Sequence, residues 1–436
     1  MVDVTIIGGG PGGYAAARRA RDYGFQTLLI EKGKIGGVCL HRGCIPTKSL
    51  IADALAERSF SESHLKKEKV ISRLYAGMTA TLEKEGVSTM QGEAQVAREH
   101  VVRVGHREIE TKFILIATGS RPKELTGIPF DDHRFLSSDG LLSLKEVPKS
   151  LWIIGAGPTG CEFASLFQKL GTQVTLVEAM PQILPESDAE IAESLRKIFT
   201  RQGIAVQVNK KINAPGETDQ AEKILISIGR LPNTEGLGLE KWGVLSPCGT
   251  IEVDPFMRTK VPSIYAVGDV TGKSLLAHAA SAQAELAVDH MHGEKINPGE
   301  NAIPECVYTR PEVAEVGLTE QEAREKGIEC LIGRASFIAS AKAQILGEKE
   351  GLVKLIGEAK SGKLLGAHLL GAQVTELIGE LTLALNQEIS VLDIARTIHP
   401  HPTLSESIRE AAWDFVRQKS GGRRYRAFSD MAPKAD

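Results

Sequence analysis

No apolar run in this 436-residue chain approaches the ~18 residues that a membrane span needs. A basic excess is missing as well. Lys and Arg total 52 against 55 Asp and Glu, a net charge of −3, so nothing in the balance draws the chain to nucleic acid or an anionic membrane. The N-terminus enters the strand pattern Val4-Thr5-Ile6-Ile7 at once, without the basic, apolar and small-residue succession of a signal peptide, and a cytoplasmic location is expected. Cysteines are few: Cys39, Cys44, Cys161, Cys248, Cys306 and Cys330 do not suffice for a disulfide scaffold at this size. In a reducing compartment, a close Cys pair is instead catalytic, redox-sensing or metal-binding.

What the chain does have is a repeat. Ile6-Ile7-Gly8-Gly9-Gly10-Pro11-Gly12-Gly13 leads into alanine-rich helical sequence and then Thr27-Leu28-Leu29-Ile30, ending at Glu31. Ile153-Ile154-Gly155-Ala156-Gly157-Pro158-Thr159-Gly160 leads through a second helical stretch to Val174-Thr175-Leu176-Val177, ending at Glu178. Gly8 to Glu31 and Gly155 to Glu178 span the same 23 positions. Each copy reads strand, tight turn, helix, strand, acid. Gly8, Gly10 and Gly13, and likewise Gly155, Gly157 and Gly160, let backbone approach a pyrophosphate at a helix N-terminus, and the acid reaches ribose hydroxyls. One such motif is often just a turn; two, each with its acid, point to two dinucleotide sites.

Cys39 and Cys44 follow directly on the first copy. A disulfide across four intervening residues closes a small ring that is readily reduced. The sequence after Cys44 reads as a helix start, with Pro46 tolerated in the first turn, and a thiolate there is favoured by the helix dipole. Two buried cysteines or half a zinc site are the plainer readings, but no second close Cys or His pair lies nearby to complete four ligands, and no metal site is expected.

The organisation that follows is α/β: two Rossmann-like nucleotide-binding domains and a C-terminal α+β domain. The boundaries are expected at 1–146 for the first part of the first nucleotide-binding domain, 147–253 for the second, 254–303 for a return segment of the first, 304–419 for the C-terminal α+β domain and 420–436 for a flexible tail.

Taken in order, Gly8–Gly13 with Glu31, Cys39–Cys44 with Pro46 and Lys48, and Ala117-Thr118-Gly119 are followed by Gly155–Gly160 with Glu162 and Glu178. Gly229-Arg230-Leu231-Pro232-Asn233-Thr234, Gly268-Asp269 and His401-Pro402-Thr403 with Glu406 complete the series. From about residue 3 to about 418, the chain resembles the two-cysteine flavoprotein disulfide reductases, above all those that oxidise dihydrolipoyl groups. The resemblance implies FAD in the first unit, NAD in the second, and a homodimer acting on a lipoyl-bearing protein or a small dithiol. It implies that Cys44 faces the flavin and Cys39 exchanges with substrate, that Lys48 and Glu162 pair beside the flavin, that Thr118, Gly119 and Gly229 line the cofactor sites, and that Asp269 holds the FAD ribitol. It makes His401, oriented by Glu406, the base that serves the disulfide of the other subunit.

Plainer readings stand beside these. Glu162 would be an acid in the first turns of its helix and Lys48 a solvated lysine. Asp269 would be an N-cap for the helix beyond it. Thr403-Leu404-Ser405-Glu406 is also a capping-box pattern, and His399 is the rival base. Glu178 accepts a ribose 2′-hydroxyl and repels a 2′-phosphate, and no arginine follows it, so NAD is expected over NADP. Two departures from the family pattern are Pro158, where Ile, Val or an aromatic is usual, and a short stretch from Gln207 to Ile224, as though a β-hairpin were missing. A glutathione-reductase-like enzyme using NADPH is the alternative activity, and a flavin redox sensor without turnover the alternative class.

Overall fold

A computed structural model describes residues 1–218, 220–299 and 301–420; apart from Ser420, the expected tail lies outside them. The chain groups into two compact units. One comprises Met1–Gly155, Lys169–Gln173 and Ile212–Glu300; the other comprises Ala156–Gln168, Val174–Lys211 and the chain from Asn301 onward. The dividing line falls inside the second glycine turn, so the segment expected to bind NAD contributes elements to both.

In the first unit, seven strands form a sheet in the order Ser88–Gln91, Thr27–Glu31, Val2–Ile7, Arg107–Ile116, Val101–Val104, Ala94–Arg98, with Ile264–Ala266 also paired to Arg107–Ile116. Val2–Ile7 pairs in parallel with Thr27–Glu31 and with the end of Arg107–Ile116. Parallel central strands need both faces covered, which is why Val4, Ile6, Leu29, Ile114, Leu115 and Ile116 are all fully buried. The helix Pro11–Asp22 packs its Ala16, Ala17 and Ala20 against the alanine-rich helix Ala277–His292. Small side chains on both let the two helices approach closely over the strand ends.

The second unit carries the antiparallel sheet Glu305–Val307, Glu312–Gly317, Leu364–Gly371, Leu352–Glu358, Cys330–Ser336. Helices Val374–Asn386, Val391–Arg396 and Glu406–Lys419 bury one face of it around Phe337, Leu355, Leu369, Ile408 and Phe415. This is the α+β module expected from residue 304. Between Gln207 and Lys223, the described residues hold a 3₁₀ turn at Pro215–Thr218 and no β-hairpin, in keeping with the short sequence there.

One row of this sheet is charged rather than apolar. Glu315, His368, Lys354 and Arg334 stand side by side across four strands. Lys354 is 2 % exposed; its Nζ bonds both oxygens of Asp188, at 2.9 and 2.8 Å, and reaches Glu320 at 2.8 Å. Asp188 caps the helix Ala189–Arg201 by accepting from Glu190 N, and its own N–H donates to Glu315 Oε1. The row therefore fastens a helix start to the sheet by charge-assisted bonds. Burial resists charge on Lys354, but its carboxylate partners outweigh that and raise its pKa. Burial likewise resists protonation of His368, and the 2.7 Å bond from Nδ1 to Glu315 outweighs it, so its pKa is also raised.

Two outcomes follow. Lys354→Met strands Asp188 without its cation and is expected to cost about 3–5 kcal/mol in chemical denaturation. His368→Gln is expected to lose most stability at about pH 6, where the native imidazolium is fully formed, with the deficit shrinking as the pH rises through the raised native pKa. A deficit that did not change with pH would show that the imidazole is neutral in the native protein.

Candidate functional site

The two glycine turns are built alike. In the first, Gly8 has φ +105°, and a Cβ there would lie 2.3 Å from the Ala117 carbonyl oxygen. In the second, Gly155 has φ +100°, and a Cβ would lie 2.4 Å from the Ser227 carbonyl oxygen. Only glycine permits either approach. Gly10 and Gly157 differ, since a Cβ on either would meet nothing within 4 Å; they border open space at the start of a helix. The helix Pro11–Asp22 has no side-chain cap and no acid in its first turn. Its free N–H groups and dipole suit a phosphate.

The acids close these turns with matching hydrogen bonds. Glu31 accepts from Gly9 N at 2.6 Å and Gly33 N at 2.6 Å. Glu178 accepts from Ala156 N at 2.7 Å and Met180 N at 2.9 Å. Each carboxylate is thus held at the mouth of its turn by one amide inside the turn and one just beyond the strand. Glu31 borders a groove of about 580 Å³ that continues along Ile35, Tyr75, Thr79 and Met90, large enough for a nucleoside. Met180, Pro181 and Gln182 border another of about 690 Å³, whose lining includes Glu186, Glu305 and Glu315 and, among the described residues, no lysine or arginine. The residues present therefore fit two dinucleotides.

The dithiol lies in the first unit. Cys39 is on the short helix Gly37–Arg42, and Cys44 is the first residue of the helix Cys44–Leu55, with Gly43 between them. Both cysteines are half-buried thiols. The helix begins where the sequence placed it, with Pro46 inside its first turn and no side chain capping it. Cys39 shares a hydrogen bond with the Cys44 sulfur. That bond, with burial, pushes the Cys39 thiol far above its ordinary pKa, while the nearby Lys48 charge pulls the other way. Lys48 is one turn after Cys44 on the same helix, so the two share a face.

Thr118 and Gly119 are strapped to the segment after Gly229. Thr118 Oγ1 donates to the Asn233 carbonyl at 2.7 Å, Asn233 Nδ2 donates to the Thr118 carbonyl at 3.0 Å, and Asn233 N donates to Gly119 O at 2.9 Å. Asp269 sits in a 3₁₀ turn, Gly268–Thr271, and accepts from Ser120 Oγ at 2.5 Å. It is not the N-cap of the helix beyond. That helix starts at Ala277 with Leu276 at its cap, because Gly272, at φ +70°, ends the turn first.

In the second unit, Glu162 lies in the second turn of the helix Pro158–Lys169, within the first turns where the sequence placed it. Glu162 is 5 % exposed and accepts from Tyr308 N at 3.0 Å; one turn on, Ser165 Oγ accepts from Arg310 N at 3.0 Å. His401 Nδ1 bonds Glu406 Oε1 at 2.9 Å, with the imidazole largely exposed. Glu406 is the first residue of the helix Glu406–Lys419, and its Oε2 accepts from Thr403 N at 2.9 Å. That amide bond, then the one to His401, lowers the Glu406 pKa. Half of the capping box is therefore made alongside the His401 pair; the Thr403 hydroxyl turns instead to Pro400 O and Ser405. The rival His399 has both ring nitrogens engaged, Nδ1 with the Thr397 carbonyl at 3.1 Å and Nε2 with Glu380 at 3.0 Å.

The structure also brings in residues to which the sequence assigned no role. Arg230 and Asn233 lie inside the quoted Gly229–Thr234 motif, and Ser120 directly follows Gly119, so their position was a usable signal. Tyr308 had none, since it meets Glu162 across 146 positions.

Among the described residues, no helix is long and apolar enough to cross a membrane, and no group of His, Cys, Asp and Glu could hold a metal ion. Residues 2–284 match the model of the pyridine nucleotide-disulphide oxidoreductases, and residues 303–412 match the dimerisation domain of the same family. The chain is 40 % identical to the dihydrolipoyl dehydrogenase of Chlorobaculum tepidum, across 95 % of this chain and 97 % of that one. It is 37 % identical to a dihydrolipoyl dehydrogenase of Bacillus subtilis, across 94 % and 97 %. Among solved structures, LpdA from Mycobacterium tuberculosis superposes with a TM-score of 0.88 at 29 % identity, covering 95 % of this chain and 99 % of that one. The HOCl-induced flavoprotein disulfide reductase RclA from Escherichia coli superposes at 0.87, also at 29 %, covering 94 % and 99 %. With both halves of the chain matched, this protein belongs to the pyridine nucleotide-disulphide oxidoreductase family.

Proposed function

We propose that the chain is a cytoplasmic, FAD-dependent and NAD-linked dihydrolipoyl dehydrogenase, a homodimer that oxidises dihydrolipoamide or a lipoyl-bearing protein. The observation that carries this reading is the Cys39–Cys44 pair, hydrogen-bonded at a helix start beside Lys48 and directly after a dinucleotide turn. The proposed domain division remains 1–146, 147–253, 254–303 and 304–419.

His401 supplies the base. Glu406 holds Nδ1–H, which leaves the Nε2 lone pair to take a proton. Exposure of the ring suits a group that must reach a thiol on the partner protomer. In the oxidised enzyme, His401 deprotonates one substrate thiol, and that thiolate attacks Cys39 Sγ. A substrate–Cys39 bond forms, and the Cys39–Cys44 bond breaks with the electron pair leaving on Cys44. The second substrate thiol, losing its proton, attacks the substrate sulfur of the mixed disulfide. It closes the lipoyl disulfide and expels Cys39, which takes up a proton. Two electrons have then passed from substrate to the cysteine pair.

The Gly8–Gly13 turn, Glu31, Thr118, Gly119, Gly229 and Asp269 would hold FAD, with Lys48 and Glu162 beside its ring; Gly155, Gly157, Gly160 and Glu178 would hold NAD. FAD supplies a two-electron acceptor for the reduced pair, and NAD the final acceptor of hydride. At the helix N-terminus, Cys44 is stabilised as a thiolate, and the Lys48 cation favours negative charge at that place. The Glu178 carboxylate, fixed by two backbone amides as an acceptor for a ribose 2′-hydroxyl, disfavours a 2′-phosphate.

Steady-state rates with dihydrolipoamide and NAD are expected to exceed greatly those with glutathione disulfide and NADPH; the reverse preference would defeat the substrate assignment. His401→Gln should lower kcat for dihydrolipoamide by roughly 10²–10⁴-fold, with bleaching of the flavin by NADH left intact. Glu178→Gln, which removes the charge, should narrow the preference for NAD over NADP by about tenfold, read from the two kcat/KM values.

A further inference from the structure

Three residues from three separate segments meet behind the acid of the Gly268 turn. Ser120 Oγ donates to Asp269 Oδ2 at 2.5 Å and accepts from Arg230 Nε at 2.6 Å. Arg230 Nη2 also donates to the Ser120 carbonyl at 2.8 Å, and its Nε lies 3.8 Å from Asp269 Oδ2. Ser120 is 3 % exposed. A single hydroxyl thus hands its proton to a carboxylate while a guanidinium fixes the direction of its lone pair.

The backbone is arranged for this contact. Each of the three follows a glycine in the left-handed region: Gly119 at φ +67°, Gly229 at +111° and Gly268 at +75°. The strands Ser120–Pro122 and Arg230–Pro232 pair antiparallel, which sets their relative register. Burial strips water from the Arg230 guanidinium, and the Asp269 carboxylate is the largest favourable charge facing it. A desolvated arginine is stable beside a carboxylate and a serine that use its fork, and a lysine would not span both atoms.

We propose that Ser120 and Arg230 are positioning residues for Asp269, holding Oδ2 so that Oδ1 is presented to a ribityl hydroxyl of FAD. Among the described residues, Oδ1 makes no hydrogen bond, while Oδ2 is committed to Ser120. The inference rests on the reading of Asp269 as the flavin-side acid and adds the two residues that make it rigid. A carboxylate fixed at one oxygen loses little freedom on accepting a ligand hydroxyl, so the gain appears as cofactor retention.

The experiment is flavin release from the holoenzyme, followed by the rise of flavin fluorescence after dilution, with the melting midpoint of each variant as a check on folding. Ser120→Ala and Asp269→Asn are each expected to speed release by roughly tenfold, and the double variant to match Asp269→Asn alone, because the serine acts only through the acid. Ser120→Thr keeps the hydroxyl and should restore slow release. Arg230→Lys, which carries the test if Ser120→Ala does not fold, should speed release by a smaller factor. Multiplying effects in the double variant, or Ser120→Thr releasing as fast as Ser120→Ala, would overturn the relay while leaving Asp269 in place. Wild-type release from Asp269→Asn would instead defeat the underlying assignment of the acid.

Discussion

Hydrogen-bond contact between two sulfur atoms at the start of a helix is the interaction around which the first unit makes sense. The Cys44 sulfur and burial both raise the Cys39 thiol pKa, and the pair is half-buried. Such a pair is useful only if charge can accumulate at one sulfur and leave again. The helix start at Cys44 and the cation of Lys48 supply the first condition. The glycine turn immediately upstream brings a dinucleotide site within the same short stretch of chain and supplies the second.

Around that pair, the fold repeats one solution to a single electrostatic problem. A pyrophosphate needs bare amides, and a ribose needs a fixed acceptor. Both turns tie the acid down with two backbone N–H groups, in the pattern Gly9 and Gly33 for Glu31, and Ala156 and Met180 for Glu178. Neither acid is free to swing toward the phosphates it would repel. The Asp269 cluster extends the same logic to a third acid, with Ser120 in the place of a backbone amide.

The second unit is stabilised differently. Its sheet has an apolar face under three helices and a charged row, Glu315–His368–Lys354–Arg334, directed at the capped start of the helix Ala189–Arg201. A buried ion cluster is a costly way to join two elements, but it fixes orientation where apolar packing would permit sliding. His401 and Glu406 lie at the start of a helix whose remaining length is anchored in the apolar core by Ile408, Ala411, Ala412 and Phe415. The proposed base is therefore exposed on a rigid support.

Local spacing determined what could be known from the sequence alone. Glycines at fixed offsets between strand and helix, an acid 23 positions on, two cysteines before a helix start, and a His with a Glu five residues later are all short-range patterns, and the backbone geometry they require is local. Tertiary structure decided everything that depended on which distant groups compete for the same polar atom. The plain reading of Asp269 as a helix cap fell only when Ser120, 149 positions away, proved to be its partner. Nothing in the sequence near Glu162 pointed to the Tyr308 amide, 146 positions away, that its carboxylate accepts from. His399 and His401 were equivalent by periodicity; the resemblance had selected His401, and the packing of Glu380 against one and Glu406 beside the other separates a buried, fully bonded imidazole from an exposed one. A hydrogen-bond partner is chosen in three dimensions, and a sequence records the groups without recording which of them meet.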